Sequence, residues 1–170
     1  MNIRMLPVLA ILGSAAMMAA CDDDSDDQGP EPEVFTASLN ATNEPPTGGV
    51  AVVSTAIGNA SIIFLPSGLQ YDVVLTSPLT TGVNNAHIHG PALPSANGVS
   101  NAGVVLNLNP NFGITTGIVA QGAFQGTGTS SATISMDSLK SMIRNGNAYV
   151  NVHTTRYGGG EIRGQLVPSN

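Results

Sequence analysis

From Phe35 to Leu166 the chain repeats one pattern: an apolar residue at every second position over short runs, with Gly, Asn, Pro and Ser between the runs. Period two is the signature of a strand with one face in a core, since successive side chains point to opposite sides. Phe35, Ala37 and Leu39 alternate with Thr36, Ser38 and Asn40. Ala60, Ile62 and Phe64 lead into Pro66-Ser67-Gly68, after which Leu69, Tyr71, Val73 and Leu75 share a face, so these two runs predict a hairpin. Further strands are expected over 84–89, 103–108, 118–124, 148–154 and 161–167. Only one segment has helical spacing. Leu139, Met142 and Ile143 form its apolar stripe, Ser135 is placed to cap it, Asp137 suits its first turn, Lys140 and Arg144 suit its last, and Gly146 follows. The expected fold is all-β: a Greek-key-like antiparallel β-sandwich or barrel with one short helix near residues 136–145.

Three zones follow from composition. Residues 1–20 read as an export signal, with Arg4 ahead of an apolar, small-residue stretch too short for a spanning helix of about 20 residues. The stretch ends in Met18-Ala19-Ala20-Cys21, which resembles a bacterial lipobox, and Cys21 is the only cysteine of the chain. A lone thiol in an oxidising compartment is a liability that lipidation removes. Residues 21–33 then carry Asp22, Asp23, Asp24, Asp26, Asp27, Glu31 and Glu33 with no basic residue, a composition that favours a disordered acidic tether. The rest, 34–170, is long enough for one domain. Its acids (Glu44, Asp72, Asp137, Glu161) balance its bases (Lys140, Arg144, Arg156, Arg163), so the chain's negative net charge comes from the tether. Four scattered bases argue against nucleic acid. There is no Gly-x-Ser-x-Gly turn and no phosphate-binding glycine loop ahead of a helix.

The chemistry-bearing residues collect on three of the expected strands. His87 and His89 lie two apart in Ala86-His87-Ile88-His89-Gly90-Pro91, so they share a face opposite Ala86 and Ile88. His153 shares a face with Tyr149 and Asn151, opposite Val150 and Val152. Glu161 and Arg163 follow the Gly158-Gly159-Gly160 turn that folds the last strand back onto the His153 strand. With the aliphatic faces inward, all three imidazoles point away from the core. A His-x-His pair plus a third imidazole from a neighbouring strand suits copper or zinc, with Glu161 as an added candidate ligand. The competing expectation is a polar face held by hydrogen bonds, with Glu161 and Arg163 in a cross-strand charge network.

These motifs together, with Phe35-Thr36-Ala37-Ser38-Leu39, Asn43-Glu44-Pro45-Pro46, Asn97-Gly98, Val104-Val105-Leu106 and Gly160-Glu161-Ile162-Arg163-Gly164-Gln165-Leu166, resemble the CHRD domain, named from chordin and found in many bacterial exported proteins. The resemblance implies one β domain over about Phe35 to Leu166. The histidine strand and the late arginine strand also look like a remote echo of the Cu/Zn superoxide dismutase sandwich. That enzyme holds its copper with four histidines, whereas this chain has three in all. Sequence alone therefore leaves three functional readings for a protein anchored in the bacterial cell envelope by a lipid on Cys21. One is a noncatalytic module that binds an envelope or extracellular protein, one a copper- or zinc-binding protein, and one a dismutase-like redox enzyme.

Overall fold

The computed structural model describes residues 30–46, 49–92, 101–125 and 134–169 of the chain. The expected signal peptide, Cys21, all of the tether before residue 30 and the Asn97-Gly98 motif lie outside the described residues.

Among the described residues there are nine strands and one helix: β1 (Glu33–Asn40), β2 (Ile57–Leu65), β3 (Gly68–Leu75), β4 (Val83–His89), β5 (Val104–Asn107), β6 (Gly117–Gln125), α1 (Met136–Arg144), β7 (Tyr149–Thr154), β8 (Ile162–Gln165) and β9 (Val167–Pro168). A single 3-10 turn, Ala41–Asn43, follows β1. All strand pairs are antiparallel. They form one sheet in the order β5-β4-β7-β8-β1-β2-β3-β6, with β9 also paired to β1. The sheet curls on itself rather than splitting into two layers. Its ends approach where Pro110, just after β5, bridges Ala120 of β6 and the Asn111 N–H donates to Val119 O at 2.8 Å.

The register explains the core. Phe35 faces Ile62, Ala37 faces Ala60 and Ala60 faces Val73, so the apolar positions of β1, β2 and β3 fall on one concave face. Ala86 opposite Val152, Ile88 opposite Val150 and Val152 opposite Ile162 continue that face across the other half. Leu39, Ile62, Leu69, Ile88, Leu106, Ile162 and Leu166 are fully buried there. Each such side chain contributes roughly 1.5–3 kcal/mol of burial. Helix α1 adds Met136, Leu139 and Ile143 to the same core. The Ser135 side chain accepts from the Ser138 N–H as its N-cap. β8 packs closely beside β1 because Gly164 has no Cβ: one added there would lie 2.2 Å from Ser38 O.

Glu33, the last acid of the expected tether, is already the first residue of β1 and is held by Lys140 and Arg144 of α1. Their side chains, Arg144 foremost, draw the Glu33 carboxyl down to about 2. It is a point of attachment for the helix, not part of a free spacer.

Candidate metal centre

β4, β7 and β8 run side by side with His87 opposite Asn151, His89 opposite Tyr149, Asn85 opposite His153 and Asn151 opposite Arg163. The polar alternates of these three strands thus share the convex face, as their spacing predicts. His87 and His153 sit diagonally across the β4–β7 pair, with ring centroids 4.8 Å apart; His87–His89 and His89–His153 are at 5.5 and 6.0 Å. One ring nitrogen from each lies within 4.8 Å of the other two. The shortest separation, His87 Nδ1 to His153 Nε2, is 3.0 Å.

This face is not open to water. His87, His89 and His153 are 9, 8 and 7 % exposed, and every residue of β7 is buried on both sides of the strand. Loops form the cover. Ala102 O accepts from His89 Nδ1 at 2.9 Å, and Gly158 O accepts from His153 Nδ1 at 3.1 Å. A carbonyl can only accept, so both rings carry their proton on Nδ1 and offer the Nε2 lone pair. The His89 Nε2 atom is buried and has no hydrogen-bond partner. Carbonyl-fixed imidazoles of this kind are how protein sites orient histidine ligands.

Burial pushes the His87 ring down to about 4, helped by its two histidine neighbours. His89 and His153 are also lowered, first by burial; Arg163 adds to the effect on His89 and His89 to that on His153. The three rings are therefore neutral at neutral pH, the form that binds a metal. Ligands about 2.0–2.1 Å from a tetrahedral ion stand about 3.3 Å apart, close to the His87–His153 spacing, so small ring rotations complete a three-nitrogen set. The His87–His153 contact is a hydrogen bond, with His87 Nδ1 donating to His153 Nε2, since His153 Nδ1 already donates to Gly158 O.

Tyr149, Asn151 and Arg163, expected on this face, are all there. The Tyr149 ring stacks on His89, with centroids 4.9 Å apart and planes 2° from parallel, and its hydroxyl accepts from the Ala102 N–H. The Arg163 guanidinium lies 4.5 Å from the Tyr149 centroid and donates to Asn43 O at 2.6 Å and Asn101 Oδ1 at 3.3 Å. In return Asn43 Nδ2 donates to Arg163 O, fastening the loop after β1 over β8.

Glu161 takes a different place from the one its spacing suggests. Its carboxylate accepts from Ser54 Oγ, Thr80 N, Thr80 Oγ1 and Thr154 Oγ1, all at 2.7–2.8 Å, and it is fully buried. Two oxygens taken by four donors have no lone pair left for a metal, and among the described residues the metal-capable cluster contains the histidines alone. Glu161 immediately precedes β8, and its carboxylate turns to the Thr80 and Ser54 loops rather than along the strand face.

The acid near Arg163 is Glu44, in the loop Asn43-Glu44-Pro45-Pro46. Its Oε1 and the Asn151 Oδ1 are buried without partners. Both pack against Gly160, where an added Cβ would stand 2.6–2.7 Å from each. Desolvation pushes Glu44 up to about 7, against the opposing attraction of Arg163. A charged residue placed between turn residues and prolines was the available signal.

Among the described residues no helix is long and apolar enough to cross a membrane. Neither the curated proteins nor the solved structures contain a match to this chain. Among known families the CHRD domain matches residues 35–166, from the third residue of β1 to the residue after β8, which takes in all the strands that carry the histidine face. By that match the chain belongs to the CHRD domain family.

Proposed function

We propose that this CHRD domain binds one transition-metal ion, copper or zinc, through His87, His89 and His153. The observation that carries the reading is the convergence of three buried, neutral ring nitrogens within 4.8 Å, two of them aimed by backbone carbonyls. A purely structural polar network would satisfy its buried atoms internally, whereas His89 Nε2 is left as an unused lone pair inside the cluster. Binding replaces the His87–His153 hydrogen bond, and the His87 ring stays neutral, its one proton on the nitrogen that does not face the metal. The remaining residues have supporting roles: Tyr149 backs the His89 ring, and Arg163 fastens the loop that carries Glu44.

The N-terminal pattern supports a place for this activity in the bacterial cell envelope, with the domain held outside the cytoplasm by acyl chains on Cys21. Mass spectrometry of the mature N-terminal peptide tests the anchor: a lipid-modified Cys21 is expected, and an unmodified one rejects it.

The metal reading is tested by calorimetric titration of untagged protein with copper and with zinc. One ion per chain is expected. Replacing His87, His89 and His153 together by Gln should remove binding while leaving the far-ultraviolet circular dichroism unchanged. Unchanged affinity in the triple variant would refute the site. In that event the domain falls back to a module that recognises an envelope or extracellular protein.

A further inference from the structure

We propose that the histidine site selects monovalent copper, Cu(I), over divalent zinc and divalent copper. This inference rests on the metal-binding reading above and narrows it to one charge state. Three observations carry it.

First, the ligand set brings no negative charge. Among the described residues the cluster holds three imidazoles and neither a carboxylate nor a thiolate. The one acid that strand spacing placed nearby, Glu161, is committed to Ser54, Thr80 and Thr154.

Second, the fixed charge stacked next to the cluster is positive. Arg163 is 5 % exposed and lies over Tyr149, whose ring lies parallel to His89. Its field disfavours any cation added beside it in proportion to that cation's charge.

Third, the rings are almost wholly removed from water. The desolvation penalty of an ion grows with the square of its charge, so a divalent ion costs about four times what a monovalent one does in the same surroundings. A divalent ion could recover the missing negative charge only by holding hydroxide in a fourth position. Cu(I) has a filled d shell, accepts imidazole nitrogen and is satisfied by three ligands. It therefore meets this site without an added anion.

The test compares affinities on the full-length chain carrying Cys21→Ser, so that no thiol competes, and without an affinity tag. Cu(I) is delivered anaerobically with reductant and titrated against a chromogenic Cu(I) chelator. Zn(II) is titrated against a zinc-sensitive chelator at the same pH. Cu(I) is expected to bind at least ~100-fold more tightly than Zn(II), a gap of two decades in dissociation constant. His89→Gln should abolish the Cu(I) binding. Arg163→Gln should narrow the gap by improving Zn(II) binding; should that variant not fold, the ratio in the parent chain decides alone. Zn(II) or Cu(II) bound as tightly as Cu(I), through the same histidines, overturns the selectivity and leaves metal binding intact. A chain that binds neither copper nor zinc overturns the metal-binding reading itself.

Discussion

His89 and His153 each commit one ring proton to a backbone carbonyl, so the identity of the metal-facing nitrogen is decided by the loops at Ala102 and Gly158. His89→Gln keeps the burial but removes the imidazole lone pair, and should abolish Cu(I) binding, read by chelator competition. Gly160 is the other sensitive residue. It has φ +127°, and a Cβ there would press on the Asn151 amide and Glu44 Oε1. Gly160→Ala should destabilise the domain by about 1–3 kcal/mol in urea denaturation. Glu44 and His87 give stability opposite pH dependences. The folded state raises Glu44 from 4.5 to about 7, so the stability from its neutral form is complete below about 4.5 and is lost as pH rises through 7. His87 is lowered from 6.5 to about 4, so its contribution is present above 6.5 and is lost as pH falls through 4. The two slopes oppose each other between these limits. Glu44→Gln should expose the histidine slope and be more favourable, relative to the parent, at about pH 8 than at about pH 5 by about 2 kcal/mol.

At the scale of elements, β7 shows what alternation can and cannot convey. Val150 and Val152 against Tyr149, Asn151 and His153 correctly divide the strand into two faces, and the same parity in β4 puts His87 and His89 beside them. The helix was equally legible, from Ser135 to Arg144, because its cap, dipole charges and apolar stripe agree. What period two could not show is that the second face of β7 is covered as well. That cover comes from the turn just after β7 at Gly158 and from two segments distant in sequence, around Asn43 and Asn101, whose arrival there depends on strand order. The adjacency of β8 to β1, which brings Arg163 beside Asn40 and so beside the Asn43 loop, has no local signature. Glu161 was misplaced for the same reason, since its partners Ser54 and Thr80 lie 107 and 81 residues away. Its role there is to tie two loops to the end of β7. Glu161→Gln puts an amide N–H against hydroxyl and N–H donors, and should lower stability by about 1–3 kcal/mol in urea without changing metal stoichiometry.

On the scale of the whole molecule, the curled sheet separates the site from the point where the chain joins the domain. β1 runs from Glu33, pinned under α1, to Asn40, which lies level with Arg163 and Asn151. Seven residues of strand at about 3.3 Å each span about 23 Å, so the histidine face lies at the far end of β1 from the acidic segment. Cross-linking β4 to β7 and fixing two loop carbonyls, a bound ion should stabilise the entire sheet. With free metal at about 100 times the dissociation constant the gain is about 2.7 kcal/mol, visible as a rise in Tm of several degrees that the triple histidine variant lacks. The most direct measurement is X-ray absorption at the metal edge on copper- or zinc-loaded, untagged Cys21→Ser chain. A first shell of three imidazole nitrogens at about 2.0 Å is the expected result. A shell without imidazole scattering, or one unchanged in the triple histidine variant, would contradict a metal centre built from His87, His89 and His153.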